Sequence, residues 1–381
     1  MILRKPAILI RLSLSALILV IACLACAPQQ ASTIAATASQ TASITFSPSS
    51  TPAPSKTPTQ KPTVGSTSPP PAHFENELLR AGNSPQSYIE DECGYLALRW
   101  DPEKALPGSV VAPIMYHSIR PGNEEPGEPS AINADLFYQT IELAQSYGFE
   151  TITSQELINF LYNNEPIPQL SMILVLDDRR PGTAEEYFLP VNQQNDWTTT
   201  LAWPIGDTDS RTGLWEEIES IVASGYFDVQ AHGLDHNVYL PGLTREEAQA
   251  EISGPIPILS EHFGNEPIIY VWPGGLFSEQ GVELAREAGY QAGFTVYSRG
   301  PILFNAIPQG AEEAALGDPL MTLPRFWSSA ALLNLEQAYL ASQNALEFAI
   351  ENYPAEAAWY AQNCGDELPP LEQILASSLQ D

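Results

Sequence analysis

Residues 171–180 read Ser-Met-Ile-Leu-Val-Leu-Asp-Asp-Arg-Arg, an apolar run that ends in two adjacent carboxylates, Asp177 and Asp178. The unbroken apolar residues before this pair are typical of a strand buried on both faces, as in a parallel sheet covered by helices. Ligands and catalytic groups of α/β proteins collect at the carboxyl ends of such strands. Neighbouring strand residues point to opposite sides, so the two aspartates can take two different roles. Taken alone, the stretch fits a turn cap and a solvated aspartate equally well.

A second strand end with polar side chains lies downstream. Residues 227–231 (Phe-Asp-Val-Gln-Ala) are predicted to form a short strand, which runs directly into His232-Gly-Leu-Asp-His236. Two imidazoles at this spacing, joined by a carboxylate from a neighbouring strand, would make a three-ligand metal site with one position open for water. The alternative is a pair of surface histidines on a loop. Beside a strand that ends in Asp-Asp, the metal site is the better interpretation.

The pattern of the remaining chain predicts an α/β fold. Strand and helix signals alternate from residue 109 to residue 329, which indicates a parallel, barrel-like sheet. Residues 76–108 are predicted to be an irregular lead-in with one helix near residues 76–81. Residues 330–381 are rich in Ala and Leu and are predicted to be a helical C-terminal extension.

The N-terminal region has the pattern of an exported protein. Basic residues precede a short apolar run at residues 12–22, which favours a signal peptide over residues 1–26 rather than a membrane span. Residues 20–23 (Val-Ile-Ala-Cys) resemble a bacterial lipobox, and by that resemblance Cys23 would be lipidated. Simple secretion after cleavage at small residues is the alternative. Residues 27–75 are rich in Ser, Thr and Pro and are predicted to be a disordered tether.

The charge of the chain is strongly negative, with a formal net charge of −30. After residue 61 there are 46 acidic residues against 11 basic ones. This excess argues against nucleic acid or an anionic lipid surface as the ligand of the folded region. A neutral or cationic substrate is compatible with it, and so is plain solubility outside the cell.

Two cysteines, Cys93 and Cys364, lie near the ends of the predicted folded region. An even pair in an exported domain is most simply a disulfide that ties the two ends together. Two unpaired buried thiols are the competing interpretation.

Three motifs resemble those of the polysaccharide deacetylase family, the NodB-homology domain of carbohydrate esterase family four. Residues 176–178 (Leu-Asp-Asp) look like its Thr-Phe-Asp-Asp-Gly motif, and residues 232–236 look like its His-Ser/Thr-x-x-His motif. Residues 272–275 (Trp-Pro-Gly-Gly) resemble its proline-containing groove motif. The likeness covers roughly residues 110–327 and implies a distorted (β/α)7-type barrel. Residues 115–117 (Met-Tyr-His) are similar to the permuted branch that deacetylates poly-N-acetylglucosamine.

The resemblance implies a role for individual residues. Asp177 would be the general base and His117 the general acid. A divalent ion, Zn²⁺ by expectation, would be held by Asp178, His232 and His236. Side chains implied in substrate binding are Arg179, Tyr116, Trp272 and Pro273.

The sequence departs from the family pattern at two positions. Arg179 stands where the family has Gly, and Gly233 stands where it has Ser or Thr. An arginine resists backbone dihedrals that glycine adopts, and its charge beside a cation could weaken metal binding or block a subsite. It could also turn outward or contact a substrate oxygen. Both changes leave the implied metal ligands whole.

The favoured hypothesis is a metal-dependent enzyme that deacetylates an N-acetylated extracellular or cell-wall polysaccharide, anchored to the membrane by lipid. We expect it to act as a monomer and not to bind nucleic acid. One alternative is a catalytically silent carbohydrate-binding lipoprotein on the same fold. Another is an exported solute-binding lipoprotein, which would have no need of the Asp-Asp and His pairs.

Overall fold

A computed structural model describes residues 69–238 and 240–377 of the chain. The described residues fall within one structural unit, Pro62–Asp381. The predicted signal peptide, Cys23 and nearly all of the predicted tether lie outside the described residues. Among the helices of the described part, none combines the length and apolar character needed to cross a bilayer.

Seven parallel strands form the centre of the fold. Across the sheet, the second to the sixth strands lie in chain order. The first strand pairs with the second, and the seventh strand pairs with the first. In chain order these strands are β1 (Val110–Tyr116), β2 (Leu170–Asp177), β3 (Thr199–Trp203), β4 (Phe227–Ala231), β5 (Ile269–Val271), β6 (Ala292–Phe294) and β7 (Phe326–Trp327).

The segment that leads into β7 connects the two edges of the sheet. The backbone N–H of Leu323 donates to the carbonyl of Gly293 at 2.7 Å, and the N–H of Thr295 donates to the carbonyl of Leu323 at 2.9 Å. A few residues later, β7 pairs with β1. The sheet therefore curls into a distorted seven-strand barrel, and the predicted α/β fold class is confirmed.

Four further pairings in the described part of the chain involve short strands in addition to these seven. Ser84–Gln86 runs antiparallel to Ile307–Gln309, and Ile302–Leu303 runs antiparallel to β1. Ile119–Arg120 pairs with Ile132–Asn133, and Glu150–Thr151 pairs with β2.

Helices connect the strands and cover the sheet. They are α1 (Glu92–Arg99), α2 (Ala134–Tyr147), α3 (Ser154–Asn163), α4 (Leu189–Asn195), α5 (Leu214–Val222), α6 (Arg245–Ser253), α7 (Pro255–Phe263), α8 (Glu279–Ala288), α9 (Ala311–Ala314), α10 (Ala331–Asn363) and α11 (Leu371–Ser377). A three-residue turn of helix, Pro181–Thr183, and a π-helical turn, Ala184–Phe188, precede α4. Short 3₁₀ turns occupy Leu240–Gly242, Pro273–Gly275, Pro319–Thr322 and Ser328–Ala330.

Two helix predictions are wrong in detail. The lead-in has no helix near residues 76–81, and its helix begins at Glu92. The capping-box sequence Thr244-Arg-Glu-Glu247 predicts one helix to about His262, but the chain forms two helices that meet at Gly254. Pro255 follows, and proline in a helix interior lacks the N–H that donates to the preceding turn. The proline is tolerated here because it stands at the first position of α7.

Strand β2 is buried from Ser171 to Asp177, as expected of a central strand covered on both sides. Transfer of each large apolar side chain of this strand out of water stabilises the fold by about 1.5–3 kcal/mol. A slip of the register by one residue would move the Asp177 carboxylate to the opposite face of the strand, so the register sets where this carboxylate points.

The predicted helical extension is present as α10. Its buried face consists mainly of alanines, including Ala338, Ala341 and Ala345, and such small side chains allow close approach to the barrel. Gly108, just before β1, lies against this face, where a Cβ would stand 2.8 Å from the carbonyl oxygen of Ser342.

A disulfide joins Cys93 in α1 to Cys364 at the end of α10, with the two Cα atoms 5.6 Å apart. The bond connects the lead-in to the C-terminal helix across 271 residues of sequence. An apolar cluster that includes Trp100, Ala349 and Ile374 packs beside these two elements.

We expect the variant Cys93→Ser/Cys364→Ser to lose about 2–5 kcal/mol of unfolding free energy, because the unfolded chain is no longer cross-linked. Urea titration of the oxidised wild type and of the variant measures the difference. Equal unfolding free energies would mean that the disulfide does not stabilise this fold.

Candidate active site

The register of the sheet brings the polar strand ends together. Tyr116 pairs with Leu176, which places the next residues, His117 and Asp177, at neighbouring strand ends. On the other side, Asp177 pairs with Ala202. The first residue after β4, His232, donates its backbone N–H to the carbonyl of Trp203. Residues distant in sequence therefore meet at the carboxyl edge of β1, β2 and β4.

Three ligand-type side chains converge at this edge, those of Asp178, His232 and His236. Their candidate ligand atoms all lie within 4.8 Å of one another. The Nε2 atom of His236 is 3.1 Å from Nε2 of His232 and 3.4 Å from Oδ1 of Asp178, and the remaining distance, from His232 Nε2 to Asp178 Oδ1, is 3.9 Å. Ligands at the usual zinc distances in tetrahedral geometry are about 3.3 Å apart. The three atoms therefore fit the donor set and the spacing of a divalent metal site.

The surroundings of His232 keep its ligand nitrogen available. The ring is buried, and Nδ1 lies 2.8 Å from the carbonyl oxygen of Val271. A proton on Nδ1 that is donated to this carbonyl leaves the lone pair of Nε2 directed at the cluster. Burial lowers the pKa of His232 to about 4, against the opposing effect of the Asp177 carboxylate. The imidazole is therefore neutral at physiological pH, as a metal ligand must be.

Asp177 is buried beside the cluster and is paired with Arg325, which was not singled out from the sequence. Arg325 is fully buried, and its Nη1 donates to Oδ1 of Asp177 at 2.6 Å while its Nε donates to the carbonyl of Thr295 at 2.7 Å. Burial alone would raise the pKa of Asp177, but the charge of Arg325, with His232 and His117, holds it below the usual value. Asp177 is therefore ionised at neutral pH.

Across the sheet, β2 lies between β1 and β4. Asp177, at the end of β2, is therefore flanked by His117 after β1 on one side and by His232 after β4 on the other. The Nε2 atom of His117 is 3.9 Å from Oδ2 of Asp177, and its ring stacks on that of Trp327 with the centroids 6.3 Å apart and the planes 10° from parallel. The imidazole is partly exposed, with 18% of its side-chain surface accessible. It can therefore reach both Asp177 and a molecule bound at the strand ends.

The two arginines after the aspartate pair point to different partners. Arg179 donates from Nη1 to the carbonyl of Pro204 at 3.1 Å. Arg180 is the arginine that contacts the cluster, because its Nη2 is 3.2 Å from Oδ2 of Asp178 and its Nη1 donates to Oγ of Ser118 at 2.8 Å. The left-handed backbone at this turn falls on Asp178, with φ +70°, and not on Arg179. A side chain at position 179 is thus compatible with the turn.

Three of the predicted substrate-binding residues are buried. Tyr116 is fully buried and its ring packs on Phe137 and Phe188, while Trp272 is fully buried and donates from Nε1 to the carbonyl of Met321. Pro273 is buried too. The rings of Tyr116 and Trp272 thus fill the interior, and the substrate contact predicted for these three residues stays a prediction. Arg179 is partly exposed and its predicted role stays a prediction.

A signal for Arg325 is present in the sequence. It is the lone charged residue in the apolar run Leu320-Met-Thr-Leu-Pro-Arg-Phe-Trp327 just before and within a strand. A charge in such a run is rarely buried without a partner. The identity of that partner, 148 residues away in sequence, is visible only in the folded chain.

A curled parallel α/β barrel with an Asp-His-His cluster and an Asp-His pair at its carboxyl edge defines a NodB-like class of fold. Residues 165–293 match the family model described as polysaccharide deacetylase. This match covers about a third of the chain and includes Asp177, Asp178, His232 and His236, and the resemblance seen in the motifs is confirmed.

The chain is also similar to individual proteins. YxkH of Bacillus subtilis (strain 168), whose name places it among the polysaccharide deacetylases, is 23% identical over 182 residues, which cover 48% of this chain and 63% of that protein. The chain thus spans less than two thirds of the length of this relative. The Streptococcus pyogenes deacetylase PplD, solved in complex with acetate, matches with a TM-score of 0.50 at 18% identity and covers 61% of this chain and 99% of PplD. IcaB from Ammonifex degensii gives a TM-score of 0.48 at 21% identity, with 63% and 100% coverage.

Proposed function

We propose that this protein is a metal-dependent hydrolase that removes N-acetyl groups from an extracellular or cell-wall polysaccharide of the poly-N-acetylglucosamine type. The observation that carries the proposal is the convergence of Asp178, His232 and His236 within 4.8 Å, with Asp177 and His117 beside them. The match of residues 165–293 to the polysaccharide deacetylase family model supports deacetylation as the reaction.

The residues divide into ligands and proton carriers. Asp178, His232 and His236 would hold the ion, which we propose to be Zn²⁺. When bound, such an ion supplies Lewis acidity at the acetyl carbonyl and lowers the pKa of a nearby water. Asp178 offers Oδ1 to the cluster, since Arg180 donates to its Oδ2.

Asp177 would act as the general base and His117 as the general acid. The ionised Asp177 carboxylate accepts a proton from the attacking water, and Arg325 keeps the carboxylate ionised and oriented through Oδ1. The other carboxylate oxygen, Oδ2, faces His117. His117 then donates a proton to the amine nitrogen as the C–N bond breaks. Attack by water and departure of the amine thus use two groups placed on neighbouring strands.

The N-terminal sequence supports a proposal on location. We propose that Cys23 carries a lipid and that the protein lies on the outer face of the cell membrane. Its net charge of −30 favours a neutral or cationic glycan over a polyanion.

Purified protein should contain about one Zn²⁺ per chain and release acetate from short N-acetylglucosamine oligomers. His236→Ala should weaken zinc binding by more than about 100-fold, since even residues that only support a metal ligand are worth 10–100-fold. Acetate release should fall with the bound zinc. Metal analysis, competition with a chromophoric chelator and an acetate assay measure these quantities.

His262→Ala is the matched control. His262 stacks on Trp215 and contacts Glu219 on the surface of α5 and α7, so its loss should leave zinc and activity unchanged. Stoichiometric zinc without acetate release from any acetylated glycan would favour a silent carbohydrate-binding protein. A chain that binds no divalent ion would exclude both the ligand set and the hydrolytic proposal.

A further inference from the structure

One buried side chain from α6 organises the loop between the two histidines. The side chain is that of Glu251, which is 4% exposed. Its Oε2 accepts the backbone N–H of Asp235 at 2.9 Å, and its Oε1 accepts the backbone N–H of Asn237 at 2.8 Å. The main-chain carbonyl of Glu251 also accepts the N–H of Leu234 at 2.9 Å. Three amides of a four-residue stretch are thereby bound to a single residue.

These hydrogen bonds surround a strained ligand. His236 has φ +56°, in the left-handed region that a residue with a side chain rarely adopts. Such a conformation persists only where neighbouring contacts enforce it. The two carboxylate oxygens of Glu251 fix the amides on either side of the His236 amide. The carboxylate therefore determines the direction in which the His236 imidazole leaves the backbone.

The absence of a side chain at Gly233 leaves room for the Glu251 carboxylate. The φ of Gly233 is +85°, and a Cβ built at this position would overlap Oε1 of Glu251. The same Cβ would lie 3.1 Å from Cγ of Pro273. The departure from the family residue at position 233 thus has a physical reason in this chain, since a hydroxyl-bearing side chain would displace the Glu251 carboxylate.

The opposite side of the loop is bound to the backbone after β3. The N–H of Ile205 donates to the carbonyl of Gly233, and the N–H of Gly206 donates to the carbonyl of Leu234. The carbonyls of the loop thus face β3 while its amides face Glu251. Removal of the Glu251 carboxylate would leave the amides of Asp235 and Asn237 without these acceptors, but would leave the other side of the loop attached.

We propose that Glu251 is the positioning residue of the metal site, that it holds His236 in its ligand conformation through the amides of Asp235 and Asn237, and that Gly233 is matched to it. The inference rests on the metal site of the proposed function. It adds a residue that contacts neither the ion nor the substrate and acts through the loop.

The test compares Glu251→Ala and Glu251→Gln with wild type by zinc competition titration and by amide hydrogen exchange of the loop in metal-free protein. Glu251→Ala should lower zinc affinity by about 10–100-fold and remove the protection of the Asp235 and Asn237 amides. Glu251→Gln keeps the side-chain volume, but its NH₂ group would face the backbone N–H of Asp235 or Asn237, and two donors cannot form a hydrogen bond. The zinc affinity of this variant should therefore also fall.

The matched control is Glu247→Ala on the same helix. Glu247 accepts from the N–H and hydroxyl of Thr244 at the exposed start of α6. Its loss weakens the helix without touching the loop, and zinc affinity should stay unchanged. If Glu247→Ala and Glu251→Ala lower zinc affinity equally, Glu251 acts only through the stability of the helix, and the proposal is overturned.

The Gly233 partnership has its own measurement. Gly233→Ala should weaken zinc binding in wild type and weaken it less in the Glu251→Ala background, because the clashing carboxylate is gone. Equal effects in the two backgrounds would overturn the matching of these residues. If wild type binds no zinc, the proposed function and the positioning role both fail. Lost amide protection with unchanged zinc affinity would overturn the inference alone.

Discussion

Asp177→Asn is expected to lower the rate of acetate release by about 10²–10⁴-fold, the usual contribution of a general base, while the zinc content stays near that of wild type. The amide cannot accept a proton at neutral pH, although its oxygen can still accept from Arg325. The ion should remain because its proposed ligands, Asp178, His232 and His236, are untouched. The measurements are kcat for acetate release and metal content on the same preparation.

Asp228→Asn is the control for this variant. Asp228 is also an aspartate in the sheet, on β4, and it accepts the backbone N–H of Ser154 away from the histidine cluster. Its replacement should leave kcat unchanged. Turnover at the wild-type rate in Asp177→Asn would remove Asp177 from the mechanism. Lost activity together with lost zinc would mean that Asp177 acts on metal binding and not as the base.

Arg325→Met is expected to reduce the free energy of unfolding by about 3–5 kcal/mol, because it leaves the buried Asp177 carboxylate without its compensating charge. Both side chains of this pair are at most 3% exposed, so solvent screens the lost interaction little. Methionine fills much of the space of the arginine stem, which makes the missing charge the main change. Urea unfolding of metal-free protein measures the loss.

The double variant Asp177→Asn/Arg325→Met separates charge from packing. With the carboxylate neutralised, removal of the arginine should cost much less than it does alone, so that the two changes are strongly non-additive. Additive losses would show that Arg325 stabilises the fold through its bond to the Thr295 carbonyl or through packing on Phe294. The ion pair with Asp177 would then have no special role in stability.

Local sequence patterns were sufficient for much of the site. Each of His117, Asp177 and His232 follows directly on a hydrophobic strand or ends one, and parallel strands end at a common edge of their sheet. Periodicity and strand-end polarity therefore predicted which side chains meet. The same patterns predicted the α/β alternation and the C-terminal helix, since strand and helix periods differ clearly over these segments.

Burial of aromatic rings was not predictable in the same way. Tyr116 and Trp272 stand at or next to strand ends, where a ring can stack on a ligand or fill the interior. Their sequence neighbours are the same in both cases. Contacts from other elements decide the outcome. The rings of Phe137 and Phe188 pack on Tyr116, and the carbonyl of Met321 accepts the indole N–H of Trp272.

By itself the sequence determined the α/β class, the order of the strands along the chain, and the ligand-type side chains at their ends, because these properties depend on residues close together in the chain. Only the tertiary structure decided which charges support them. Arg325 pairs with Asp177 across 148 residues, and Glu251 fixes the histidine loop from a helix whose sequence pattern shows only a capping box. A buried charge needs some partner, but chain folding in three dimensions selects which one.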